Sequence, residues 1–133
     1  LGFEHGWNAI AGAMAIDIPR WADFKLVLRQ LDSPQAHEKY DTITIDTVGI
    51  AYDLCEQYIC ATNGVQKIGD IPYGAGYGMT QKEFDSCLRK STQMCYGLCV
   101  IAHVDRKSSE SDDTPDYISP LMQKRCYAVI NQL

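Results

Sequence analysis

A chain of 133 residues is the length of one domain and buries a sizeable core. Its 46% apolar and 22% charged content is an ordinary globular balance, and a net charge of −5 gives no general attraction to nucleic acid or to an anionic membrane. No apolar run approaches the roughly eighteen residues that a membrane span needs. The start, Leu1-Gly2-Phe3-Glu4-His5, lacks the basic and apolar regions of a signal peptide. It opens without Met inside an apolar run, which suggests a chain cut from something longer.

In chain order, Leu1 to Phe3 reads as the tail of a strand with Glu4 at its exit, and Ala13 to Ile18 as a second strand stopped by Pro19. Trp21, Phe24, Leu28 and Leu31 then recur at helical spacing, predicting a helix that ends near Asp32-Ser33-Pro34. Thr42-Ile43-Thr44-Ile45 is β-branched and stiff at χ1, the signature of a buried strand, and it ends on Asp46. Ile50, Leu54, Tyr58 and Ile59 mark the next helix. Gly69, Pro72, Gly74, Gly76 and Gly78 predict a loop from Val65 to Met79. Thr80-Gln81-Lys82-Glu83 fits a capping box, opening a helix whose buried face is Phe84, Cys87, Leu88, Ser91 and Cys95, with Gly97 at its C′ position.

Leu98 to Ala102 is continuously apolar, as expected of a parallel strand covered on both faces, and it ends at His103. Asp105 to Asp116 is polar and reads as a mobile loop. Pro120 is expected to open a last helix carrying Leu121, Cys126, Val129 and Ile130. Strands alternating with helices imply one α/β domain over residues 1–133 with a mainly parallel sheet. The six cysteines fall in apolar segments with no C-x-x-C pair. They read as free thiols in a reducing cytoplasm rather than a disulfide framework or zinc site.

A buried strand tolerates an Asp only at its end, facing a cleft or a metal, and ligands bind at the carboxyl ends of parallel strands. Asp46 is therefore the first candidate for a working residue, with capping of the following helix as the equal alternative. Three of these strands end on polar residues, Glu4, Asp46 and His103. A nucleotide-hydrolysing site needs an acid for Mg²⁺ or its waters, a carboxylate for the attacking water and a polar sensor of the γ-phosphate. Singly, His103 is better explained as a satisfied core or helix-contacting imidazole and Glu4 as a solvated loop residue; together with Asp46 on one sheet edge they gain weight.

The run Tyr40 to Val48 resembles the Walker B segment of RecA-like ATPases. With Leu54-Cys55-Glu56-Gln57-Tyr58, Ile68 to Gly78, Ile101-Ala102-His103 and Phe3-Glu4-His5-Gly6, the chain is similar to phage-type ATP-binding proteins of single-strand annealing and recombination. The resemblance implies ATP and Mg²⁺ as cofactors of the intact protein. It makes Asp46, with Thr47, the nucleotide-side Walker B residues supporting Mg²⁺, Glu4 the water-orienting carboxylate and His103 the γ-phosphate sensor. It further implies a homo-oligomer and makes the Gly64–Met79 and Asp105–Ser119 loops the two that face single-stranded DNA, through Tyr73, Tyr77, Arg106 and Lys107 by stacking and charge.

Two departures stand beside it. No G-x-x-x-x-G-K-[ST] loop is present, nor any Gly-Lys pair, so nothing in these residues cradles the β- and γ-phosphates and the chain alone is expected not to hydrolyse ATP. The Asp105–Asp116 loop is net acidic, the wrong sign for a phosphate backbone. A non-catalytic α/β domain serving assembly or partner binding is the alternative. A different nucleotide-binding fold, with Gly74-Ala75-Gly76-Tyr77-Gly78 touching phosphate, ranks last.

Overall fold

The computed structural model describes residues 1–4, 11–12, 14–107 and 117–133, with the backbone alone for 106, 107 and 117. Helix α1 (Trp21–Leu31) and the short α2 (Pro34–His37) precede strand β1 (Thr42–Asp46), and α3 (Val48–Thr62) follows it. After two 3-10 turns, Ile68–Asp70 and Pro72–Gly74, come α4 (Ala75–Gln93) and strands β2 (Gly97–Ile101), β3 (His103–Lys107) and β4 (Tyr117–Leu121). Helix α5 (Lys124–Ile130) is last.

β1 and β2 pair in parallel, from Thr42 with Gly97 to Asp46 with Ile101. The strands leading to Asp46 and His103 are therefore adjacent and parallel, as the expected parallel sheet requires. Gly2 bridges Asp46 on one side and Asp17 on the other, both in parallel. The sheet thus runs from the segment at Asp17, through Leu1–Phe3 and β1, to β2. Ile43 and Ile45 point into the core, where Trp21, Phe24 and Leu28 of α1, Val48, Tyr52 and Cys55 of α3, Phe84 and Leu88 of α4, and Cys126 and Val129 of α5 meet them. Trp21 lies against both Phe24 and Phe84, with ring centroids 4.9 and 5.5 Å away. Among the described residues no helix is long and apolar enough to cross a membrane.

Several expectations need correction. Helix α4 begins at Ala75, not Thr80, so the glycine-rich stretch is its first turn. Gly76 is buried there because Ile68 packs against it; a Cβ would stand 2.6 Å from the Ile68 carbonyl oxygen. Thr80 is accordingly buried inside the helix, its hydroxyl donating to the Gly76 carbonyl at 3.0 Å. Glu83, freed from capping, accepts from Trp21 Nε1 at 3.0 Å and pairs with Lys25 at 2.8 Å. The left-handed residue after α4 is Cys95 (φ 62°), which is exposed, while Gly97 begins β2.

β2 is not covered on both faces: Cys99 and Ile101 are exposed. Asp105 lies in β3, whose partner β4 contains Pro120 and Leu121, so the last helix opens four residues later at Lys124. Proline is tolerated there because a two-stranded hairpin consists only of edges. Residues 108–116 of the expected mobile loop, like Ala13, His5 and Gly6, lie outside the described residues. All six cysteines are free, and Cys55, Cys60, Cys87 and Cys126 are buried.

Candidate active site at the carboxyl edge of the sheet

Strand geometry brings the three polar strand-end residues to one edge. Asp46 closes β1 half-buried, and its carbonyl accepts from the Phe3 N–H at 2.6 Å and the Glu4 N–H at 3.4 Å. Glu4 is thereby placed beside Asp46, one strand over. On the other flank, Asp46 is level with Ile101, and His103 follows two residues later. The His103 imidazole reaches back across the edge: Nε2 lies 3.0 Å from Glu4 Oε2. A carboxylate only accepts, so Nε2 carries the proton in this contact. Both side chains stay accessible, with 57% of His103 and 28% of Glu4 exposed, enough for either to meet a ligand.

Asp46 does not cap the following helix. Thr47 holds the N-cap position of α3, with extended backbone and no side-chain cap. The Asp46–Thr47 peptide is cis. The Thr47 hydroxyl is buried and finds no hydrogen-bond partner among the described residues. This orphaned oxygen is the feature that reading the sequence missed, since Ser and Thr before a helix ordinarily turn back onto its first amides. Above the first turn of α3, the Leu121 carbonyl stands 3.2 Å from where a Cβ on Gly49 would lie, so the β3–β4 hairpin closes over the helix start.

Oxygen ligands, carboxylate above all, are what Mg²⁺ takes, and it keeps several waters when it binds. A half-buried carboxylate, followed in sequence by a buried hydroxyl with no hydrogen-bond partner among the described residues, supplies oxygen atoms of that kind. No group of three metal-ligating side chains exists among the described residues. Of the expected DNA-facing residues, Tyr73 is fully exposed at a left-handed position (φ 58°). Tyr77 is instead half-buried, with the Arg125 guanidinium 4.2 Å above its ring. The side chains of Arg106 and Lys107 lie outside the described residues.

The model of a family described as an AAA domain matches residues 1–133. The chain belongs to this family of P-loop-type ATPase domains. It is also 41% identical over 133 residues to the SPbeta prophage-derived uncharacterized protein YorG of Bacillus subtilis (strain 168), a match covering 98% of this chain and 39% of that protein. The chain thus spans about two fifths of the length of that relative. No solved structure matches.

Proposed function

We propose that the chain is the Walker B part of a RecA-like, ATP-hydrolysing phage or prophage protein that acts on single-stranded DNA in recombination or annealing. The observation that carries the nucleotide site is the 3.0 Å contact between Glu4 and His103 on the same sheet edge as Asp46. Family membership supports ATP as the nucleotide.

Each residue has a task its position supports. Asp46 would hold Mg²⁺ or its waters, with Thr47 behind it, and the bound ion supplies positive charge against the β- and γ-phosphates. Glu4 has one carboxylate oxygen engaged by His103. Its other oxygen is left to accept a proton from an attacking water, and the imidazole fixes its direction. His103 belongs to both the Glu4 contact and the first position of β3. A γ-phosphate competing for its Nε2–H would be felt at the base of the hairpin. The phosphate-cradling loop is not among these residues and belongs, on this reading, to the rest of a longer, self-associating polypeptide.

Tyr73 is the aromatic free to stack on a base. Replacing Glu4 by Gln in the ATP-hydrolysing polypeptide should leave nucleotide binding within a few fold and reduce turnover by roughly 10² or more, as loss of a general base does. Undiminished turnover would remove Glu4 from the site. Tyr73→Ala should weaken binding of a fluorescent oligothymidylate by about 1–3 kcal/mol. Unchanged binding there would leave the ATPase reading intact and withdraw the DNA one.

A further inference from the structure

An open pocket of about 530 Å³ lies between the second half of α3, the Ile68–Asp70 turn and the first turn of α4. It is far from the carboxyl edge of the sheet. Cys60, in its floor, stands about 18 Å along α3 from Val48, at roughly 1.5 Å per residue. Packing sets its walls: Ile59, Cys60, Ile68 and Ile71 form a small core of their own, with Val65 and Tyr77 against it. The close approach of Ile68 to Gly76 holds the turn on α4. The volume lies in the range of small-molecule sites, about 300–1,000 Å³.

Cys60, Val65, Ile68 and Tyr77 give this pocket an apolar lining, and its charged groups are Glu56, Lys67 and Asp70. Lys67 and Asp70 are exposed, and Asp70 folds back to accept the Lys67 N–H at 3.3 Å. Glu56 differs from both. It is half-buried, and among the described residues it has no ion-pair partner within 4 Å. Burial raises its pKa above the usual carboxylate value, Asp53 adds to this, and Arg125 and the Gln123 amide offset only part of it. Arg125 does not line the pocket, and its guanidinium rests on the Tyr77 ring instead. A carboxylate drawn out of water remains costly until a cation joins it.

We infer that this pocket binds a small organic cation, with an amidinium, guanidinium or primary ammonium head on an apolar or aromatic body. Glu56 takes the head, and Tyr77 with the apolar floor takes the body. Tyr77 already attracts one cation to its ring, and the planar carboxylate suits a forked donor. Two carboxylates against one ammonium exclude a phosphate here, so the site is distinct from any contact with a nucleic-acid backbone. Neither Tyr73 nor the three residues of the sheet edge line it, so the inference is independent of the ATPase and DNA readings.

Benzamidine, its neutral isostere benzamide and the anion benzoate test it, with binding followed through the amide NMR shifts of Gly69 and Tyr77. Benzamidine should shift both amides saturably and bind about tenfold or more tighter than benzamide, as one charge-assisted hydrogen bond implies. Benzoate should not bind. In Glu56→Gln, which keeps the side-chain length, benzamidine should lose its advantage while benzamide binds as before. Ala61→Phe fills the pocket from an exposed position on its wall and should abolish the binding of both. Equal affinity for the three probes in the unsubstituted protein would overturn the proposal without recourse to any variant. So would an unchanged preference in Glu56→Gln, or binding that survives Ala61→Phe and therefore lies elsewhere. Displacement of benzamidine by oligothymidylate would overturn it too, by giving the pocket to a base.

Discussion

Thr47 carries a hydroxyl that nothing among the described residues satisfies, at the point where the strand bearing Asp46 turns into α3. An unpaired buried hydroxyl costs about 1–3 kcal/mol. Valine has nearly the same shape without that oxygen, and no cap bond is lost because none is made. Thr47→Val should therefore raise the melting temperature; a fall by several degrees would show that the hydroxyl has a partner. If Thr47 also stands behind Asp46 at the nucleotide, the more stable variant should be the poorer ATPase. Asp46, Glu4 and His103 were legible as candidates because a polar residue ending an apolar or β-branched run is visible in the chain itself. The orphaned hydroxyl was not, since it depends on which way one side chain turns in a finished core.

The elements that were legible are those whose pattern is local. Trp21 to Leu31 repeats at helical spacing and Thr42 to Asp46 is β-branched, and both form as expected. The start of α4 failed because Gly74 to Gly78 looks like a loop when only propensity is considered. It becomes helix through a contact made elsewhere, Gly76 against Ile68 and Ile71. Pro120 misled in the same way: it sits in β4 because the hairpin needs no N–H at that position. Two substitutions within one helix separate propensity from packing. At Gly78 nothing lies within 4 Å of an added Cβ, so Gly78→Ala should stabilise by roughly 0.5–1 kcal/mol. At Gly76 the Cβ meets backbone at 2.6 Å, so Gly76→Ala should destabilise by about 1–3 kcal/mol. Urea denaturation of the pair reads both, and a stabilising Gly76→Ala would contradict the close packing of α4 on the Ile68 turn.

For the whole molecule, the core that unites the helices is also rich in groups kept neutral by burial. Burial pushes the Cys87 thiol up to about 11 and the Cys126 thiol and the Tyr52 phenol to about 12, with the Cys55 thiol raised further still. In the unfolded chain the thiols return to about 9 and the tyrosine to about 10. Raised folded values mean that the stability tied to the neutral forms is fully present below about pH 9. It is lost progressively as pH rises towards 11 and 12. The midpoint of urea denaturation should fall over that window, and a flat profile to pH 11 would show the thiols to be hydrated. That core positions the carboxyl edge of the sheet, where Asp46, Glu4 and His103 stand. Its most direct test is Asp46→Asn in the longer polypeptide proposed to hydrolyse ATP, with melting temperature and ATP turnover measured on one preparation. Asn keeps the size and hydrogen bonding of Asp but not the charge a Mg²⁺ ion needs. If Asp46 holds the ion, the melting temperature should stay near the parental value while turnover falls by several orders of magnitude; full turnover in Asp46→Asn would remove Asp46 from the nucleotide site.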